Sequence, residues 1–274
     1  METVGVNVTH DASFCRCVNG EIDLFLEEER LSRKKHDNMP VKTVLEFQEN
    51  NFAGVTGLEY HDYSLRDTCN FFDVIFRKKI PDHDYRTYNQ HHYLHACCGF
   101  YNSGFEEADV VVVDGLGNFF DEEHHECATR WYIKKPSEIK LLERQGASRF
   151  GTKTDRHGYW PMGIGMAYAS ISDYLGFGQL GSGKVMGLAP YGKEDPNIKP
   201  FVIDGRVNSK LFYRTKYSAN FIPYDYLPEK VSVKDQRFMN LAYRLQKDFE
   251  KWMTDFILKC KSKNIVLTGG CALN

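Results

Sequence analysis

No apolar run in this 274-residue chain approaches the ~20 residues that a bilayer-spanning helix needs. The first residues, Met1-Glu-Thr-Val-Gly-Val6, lack the basic start and apolar block of a secretory signal. A cytoplasmic protein without membrane contact is therefore expected. Charge of one sign is also missing: 35 Lys and Arg face 37 Asp and Glu, a formal net charge of −2. Bulk electrostatics offers nothing to draw a nucleic acid, so no such partner is expected. The eight cysteines are scattered and form no CxxC pair, which argues for reduced, mostly buried thiols rather than a disulfide framework. Internal repeats and low-complexity linkers are absent. What remains is ordinary for a soluble globular protein, 42% hydrophobic and 26% charged residues, in a chain long enough for one large domain or two lobes.

Periodicity sets out the elements. Val4, Val6 and Val8 alternate as in a strand, and the polar turn His10-Asp-Ala-Ser13 leads to a second strand over Phe14–Val18. Asn19-Gly20 is a hairpin turn, followed by a third strand through Ile22, Leu24 and Leu26. Pro40 starts a helix carrying Val41, Val44, Leu45 and Gln48 on one face. The aromatic-rich stretch 60–88 resists assignment. A helix is expected from the histidine cluster at 91–95 to about Tyr101. The β-branched run Val110–Val113 reads as a strand buried on both faces, ending in the tight turn Asp114-Gly-Leu-Gly117. Thr129–Lys134 and Ile139–Arg144 are two further strands. Met162–Leu175 is a helix closed by Gly176, and Gln236–Lys259 is the clearest helix of all, with Phe238, Leu241, Ala242, Leu245, Phe249, Trp252, Met253 and Phe256 along one side. Ile265–Thr268 enters the glycine turn Gly269-Gly270. A soft boundary is expected near residue 160. A strand-to-helix glycine turn is an unexpected place to stop, so the sequence reads as the front part of something longer.

The chemistry concentrates in Asn89-Gln-His-His-Tyr-Leu-His-Ala96 and in Asp114, nineteen residues beyond His95. Imidazoles four apart on a helix point the same way. A carboxylate at the end of a buried strand supplies a third ligand. Two histidines and one carboxylate suit iron or another borderline divalent ion and leave positions open for substrate. His92 rivals His91, because His92 and His95 are three apart, and Cys97 and Cys98 compete for a softer metal. The bland alternative is a set of structural histidines. Asp114-Gly-Leu-Gly117 and Gly269-Gly270 could each let backbone amides approach a phosphate, or serve only as turns. Gly178-Gln-Leu-Gly-Ser-Gly-Lys184 matches the start of a P-loop, but Val185 stands where Mg²⁺ needs Ser or Thr and a helix rather than a strand precedes it, so a P-loop is rejected. Lys184 still suits an anionic or carbonyl group. Arg33, Lys35 and His36 gain interest only if they fold back over the first turn.

Taken together, Val4-Gly-Val-Asn-Val-Thr-His-Asp-Ala-Ser13, Glu28-Glu-Arg-Leu-Ser-Arg-Lys-Lys-His36, His91-His-Tyr-Leu-His-Ala96, Gly183-Lys-Val-Met-Gly-Leu-Ala-Pro-Tyr-Gly192 and Leu267-Thr-Gly-Gly-Cys-Ala-Leu-Asn274 resemble the N-terminal domain of the nodulation and antibiotic O-carbamoyltransferases (the NodU/CmcH family). The blocks match in order and spacing over essentially the whole chain, and the 183–192 block is the most specific. The resemblance implies an α/β, actin-like ATPase (ribonuclease H-like) fold: a first lobe over residues 1–160 with the metal motif and part of a second lobe over 161–274. It also implies transfer of a carbamoyl group from carbamoyl-adenylate, made from carbamoyl phosphate and ATP by a YrdC-like domain, to a hydroxyl of a small molecule or glycan. On that reading His91, His95 and Asp114 hold an iron-like ion, Fe(II), and His91 is preferred to His92. His10 acts as base or orients the acceptor, and Lys184 contacts the adenylate. Gly115, Gly117, Gly269, Gly270 and Asn274 border the nucleotide.

Two features depart from the family. Its fourth metal ligand is an aspartate well beyond the Gly-Gly-x-Ala-Leu-Asn block, and the YrdC-like domain is missing from these 274 residues. A second polypeptide carrying the remainder is therefore an expected partner. The related tRNA threonylcarbamoyltransferases, which share the His-x-x-x-His motif, give a rival function that the near-neutral charge and the 183–192 block disfavour. A nucleotide- or metal-binding remnant without catalysis is a further rival.

Overall fold

The computed structural model describes residues 2–8, 11–48, 57–60, 91–148, 158–214 and 219–274. It divides into two compact units, Met1–Thr87 and Tyr88–Asn274. His10 and Cys69 lie outside the described residues, as does most of the unassigned 60–88 stretch.

The first unit is built on a four-stranded sheet. Strands β1 (Glu2–Val8), β2 (Ser13–Val18) and β3 (Glu21–Glu27) form the antiparallel meander that alternation and the Asn19-Gly20 turn foretell. Asn19 and Gly20 both take positive φ, 53° and 90°, as the tight two-residue turn requires. The short helix α1 (Glu28–Ser32) follows, and α2 (Val41–Gln48) starts after Pro40. The buried Glu28 carboxylate ties the two together, accepting from the backbone N–H groups of Lys42 and Thr43 at 3.0 and 2.8 Å. Strand β4 (Gly57–Tyr60) runs parallel to β1, giving the order β3-β2-β1-β4.

The second unit repeats that pattern. Helix α3 (His91–Asn102) leads into β5 (Glu107–Val113), β6 (His124–Lys134) and β7 (Glu138–Ser148), an antiparallel meander. Strand β12 (Ile265–Thr268) then pairs parallel to β5, so the order is β7-β6-β5-β12. In each unit a three-stranded meander has its first strand flanked by a later, parallel one. The sequence carries no repeat, so the same topology is reached with unrelated side chains. The boundary expected near residue 160 does not coincide with the division of units. Strand β12 lies beside β5, so residues on both sides of 160 share one sheet and one core.

One face of this sheet buries Ala96 and Phe100 of α3 with Val110, Val112, Trp131 and Ile133. The other packs Val111, Val113, Cys127 and Ala128 against helices α4 (Ile164–Tyr174) and α6 (Gln236–Ile257). That the run Val110–Val113 alternates between two buried faces explains why it shows no polar positions. Helix α6 is capped by Asp235, whose side chain accepts from the Arg237 N–H at 3.0 Å, and buries Phe238, Leu241, Ala242, Leu245, Phe249, Trp252 and Phe256. Between α4 and α6 lie helix α5 (Ser182–Leu188) and two small hairpins, β8–β9 (Val202–Ile203, Arg206–Val207) and β10–β11 (Phe212–Arg214, Ala219–Phe221). Two- and three-residue strands carry too little pattern to be read from sequence. No helix among the described residues is long and apolar enough to cross a membrane.

Candidate metal centre

Strand β5 ends where its buried side chains end, and Asp114 is the next residue. Its N–H donates to the Cys127 carbonyl at 3.1 Å, which holds the turn against β6. One carboxylate oxygen, Oδ1, accepts from the Gly115 N–H at 2.7 Å. The other, Oδ2, lies 2.7 Å from His91 Nε2 and 3.6 Å from His95 Nε2. The two imidazoles stand edge to face, ring centres 4.6 Å apart, one turn apart on α3. Ligand atoms of all three residues fall within 4.8 Å of one another.

Burial pushes the Asp114 carboxyl upward, but hydrogen bonds and charge from His91 and His95 outweigh it and hold the group well below the usual carboxylate range. A carboxylate that stays charged beside two imidazoles is a competent ligand set. An ion bonded at about 2.1 Å holds neighbouring ligands about 3 Å apart, and the observed 2.7 and 3.6 Å bracket that spacing. Two nitrogens and one oxygen also leave coordination positions for other groups. The residues therefore fit a divalent ion.

The residues alone leave His91 and His92 as rivals, the family resemblance prefers His91, and the structure gives the two rings different surroundings. The His92 ring is fully buried, its Nδ1 lying 3.0 Å from Thr129 Oγ1, which also accepts from Trp131 Nε1 at 2.8 Å. Burial pushes its imidazole down to about 3, and the neighbouring His91 adds to this. His92 is thus a neutral core residue.

Glycines bring two segments onto Asp114, the start of α4 and the turn after β12. A side chain at Gly165, in the first turn of α4, would sit 2.6 Å from the Asp114 carbonyl oxygen, and one at Gly270 would sit 2.9 Å from Oδ1. One at Gly269 would lie 2.5 Å from the Val113 carbonyl oxygen. Gly117 presses on His92, with 2.8 Å from a notional Cβ to Cδ2, whereas the space beside Gly115 is open. Of Gly115, Gly117, Gly269 and Gly270, only Gly270 meets a side chain of the trio. Asn274 is tied elsewhere, exchanging hydrogen bonds with the Gln246 amide at 2.7 and 3.1 Å. Lys184 is exposed on α5, its Nζ 5.7 Å from the Phe177 ring centre, and no described contact joins it to the trio. Cys97 and Cys98 follow on α3 outside this ligand group, and burial raises the Cys97 thiol.

In the first unit His36 does fold back over the first turn. Its Nδ1 lies 2.7 Å from Asp11 Oδ1, its N–H donates to Glu29 at 3.2 Å, and Asp11, Glu29 and His36 form a second group of close ligand atoms. Sequence reasoning missed Asn118 and Glu126, which hold the start of α3. No local pattern marks them, because their partners lie 27 and 34 residues away.

The second unit is thus mixed α/β, with a two-histidine, one-carboxylate group at the end of β5. The sequence profile described as "Carbamoyltransferase N-terminus" matches residues 42–274, and the chain belongs to that family. Nodulation protein NolNO of Sinorhizobium fredii is 25% identical over 216 residues, 69% of this chain and 28% of that protein. The uncharacterised protein sll1178 of Synechocystis is 31% identical over 209 residues, 68% of this chain and 30% of that protein. Nodulation protein NolO of Bradyrhizobium diazoefficiens is 33% identical over 107 residues, 38% of this chain and 16% of that protein. The chain thus spans under a third of the length of the curated relatives it matches. Among solved structures, the Aquifex aeolicus PPX-GPPA enzyme is similar at a TM-score of 0.31 and 11% identity, covering 64% of this chain and 56% of that one. A likeness that low carries no argument.

Proposed function

We propose that this chain is the transferring part of an O-carbamoyltransferase, passing a carbamoyl group from carbamoyl-adenylate to a hydroxyl of a small molecule or glycan. The acceptor oxygen bonds to the carbamoyl carbon, the bond to the adenylate phosphate oxygen breaks, AMP leaves, and the hydroxyl proton passes to a base. The observation that carries this reading is the His91, His95 and Asp114 group at the end of β5, in a chain of this family. A bound divalent ion, here Fe(II), would supply positive charge that polarises the carbonyl or phosphate oxygens of the adenylate. His91, His95 and Asp114 would hold it. Gly115, Gly117, Gly269, Gly270 and Asn274 border the nucleotide in this proposal, Lys184 contacts the adenylate or the carbamoyl oxygen, and His10 acts as base or orients the acceptor hydroxyl. Carbamoyl phosphate and ATP feed the reaction through a YrdC-like domain, on the same or a second polypeptide, and the site is cytoplasmic.

The same reading takes the fold as actin-like and ribonuclease H-like, with a first lobe over residues 1–160 and an incomplete second lobe over 161–274. The shared strand order of the two sheets, β3-β2-β1-β4 and β7-β6-β5-β12, each with its last strand parallel to the first of the meander, bears only on its ribonuclease H-like character.

The test is metal analysis of the purified chain followed by transfer from carbamoyl-adenylate to a hydroxyl acceptor. Wild type is expected to hold close to one iron per chain, and His91→Ala and His95→Ala each to lose it together with transfer. Undiminished iron in both variants would sink the reading.

A further inference from the structure

We infer that Asn118 is a positioning residue for the metal group, clamping the helix that carries two ligands to the loop that carries the third; this rests on the metal reading above. His91 is both a ligand and the first residue of α3. The amides of a helix's first turn have no partner inside the helix, and a helix start without caps frays. Here the His91 N–H donates to Asn118 Oδ1 at 3.1 Å, and the His92 N–H reaches Glu126 Oε2 at 3.4 Å. Both acceptors come from downstream of the helix, not from the residues before it. The side chain that holds the His91 backbone therefore belongs to the loop of Asp114.

Asn118 is well placed to transmit position. Its carbonyl accepts from the Glu126 N–H at 2.9 Å, and the Gly117 N–H donates to the Glu126 carbonyl at 2.7 Å. These two bonds pin the 114–118 loop to β6. Glu126 is anchored in turn, with Arg144 Nε 3.0 Å from its carboxylate. Strand, loop and helix start thus form one frame, and Asn118 is its link from loop to helix. The direct 2.7 Å contact between His91 and Asp114 cannot serve this purpose once an ion takes the place of that hydrogen bond. Outer groups that aim ligands in this way change metal affinity about ten- to hundredfold when removed.

The experiment uses the whole chain, titrated with Co(II) and followed by its visible absorption. Asn118→Ala is expected to weaken Co(II) binding about ten- to hundredfold, and Asn118→Asp, which keeps an acceptor at the same reach, to restore it to within about threefold of wild type. Wild-type affinity in Asn118→Ala overturns the inference, as does an equal loss in both variants. Hydrogen exchange on the metal-free proteins gives a readout that does not depend on the ion: Asn118→Ala is expected to speed exchange of the amides at 91–95, and unchanged protection overturns the clamp. A wild type that binds no Co(II) removes the metal reading alone, and the exchange experiment then decides the clamp.

Discussion

Gly269 sits at φ 88°, ψ 163°, a region open to glycine alone among the common residues. Its backbone also passes so close to Val113 that a Cβ would lie 2.5 Å from that carbonyl oxygen. Conformation and space demand glycine independently. Gly269→Ala is therefore expected to lower stability by at least about 1–3 kcal/mol, the cost of the backbone region by itself, read as a fall in the urea midpoint at unchanged slope. At this scale the sequence was informative but incomplete. Two histidines four apart and an aspartate after a valine run are visible patterns, because helix and strand periods fix where those side chains point. That His92 is a core residue was not visible. Its partner Thr129 is brought to it by β6. Asn118 was equally silent, since a cap drawn from 27 residues away leaves no local signature.

Among the elements, α6 shows the closest agreement between pattern and structure. Its apolar positions at spacings of three and four become the buried stripe from Phe238 to Phe256, and Asp235 closes its start. The Asp235 carboxyl is held down to about 2 by the Arg237 side chain and backbone N–H, against an ordinary value of 3.8. A carboxyl whose folded value is depressed contributes stability above its unfolded value and loses it as pH falls through the folded one. Asp235 is accordingly expected to titrate near 2 in carboxyl ¹³C NMR, and Asp235→Asn to flatten the change of stability between pH 4 and about 2. A titration at 3.8 would remove this cap from the account. Strands β8 to β11 mark the opposite limit. They are two or three residues long, so pairing with a neighbour, not any run of their own, makes them strands.

For the whole molecule the instructive fact is the repeated strand order. Both units use a meander whose first strand takes a later parallel neighbour, with the turn after that first strand carrying an aspartate, Asp11 in one and Asp114 in the other. The second unit contains the four-stranded sheet β7-β6-β5-β12, both of its packed faces and all three candidate ligands. Residues 88–274 expressed alone are therefore expected to unfold cooperatively and to bind Co(II) as the whole chain does. A non-cooperative melt, or loss of binding, would show that the second unit does not fold or bind by itself.

The sequence by itself determined the long elements and the identity of the candidate ligands, because periodicity and turn chemistry act over a few neighbouring residues. Only the tertiary structure decided what surrounds His92, where the units divide and what holds the candidate ligand helix in place. Each depends on strand pairing between distant segments: β6 beside β5 brings Thr129 to His92 and Glu126 to the start of α3, and β12 beside β5 joins residues 265–268 to a sheet begun at 107. No local pattern records which strands will lie side by side.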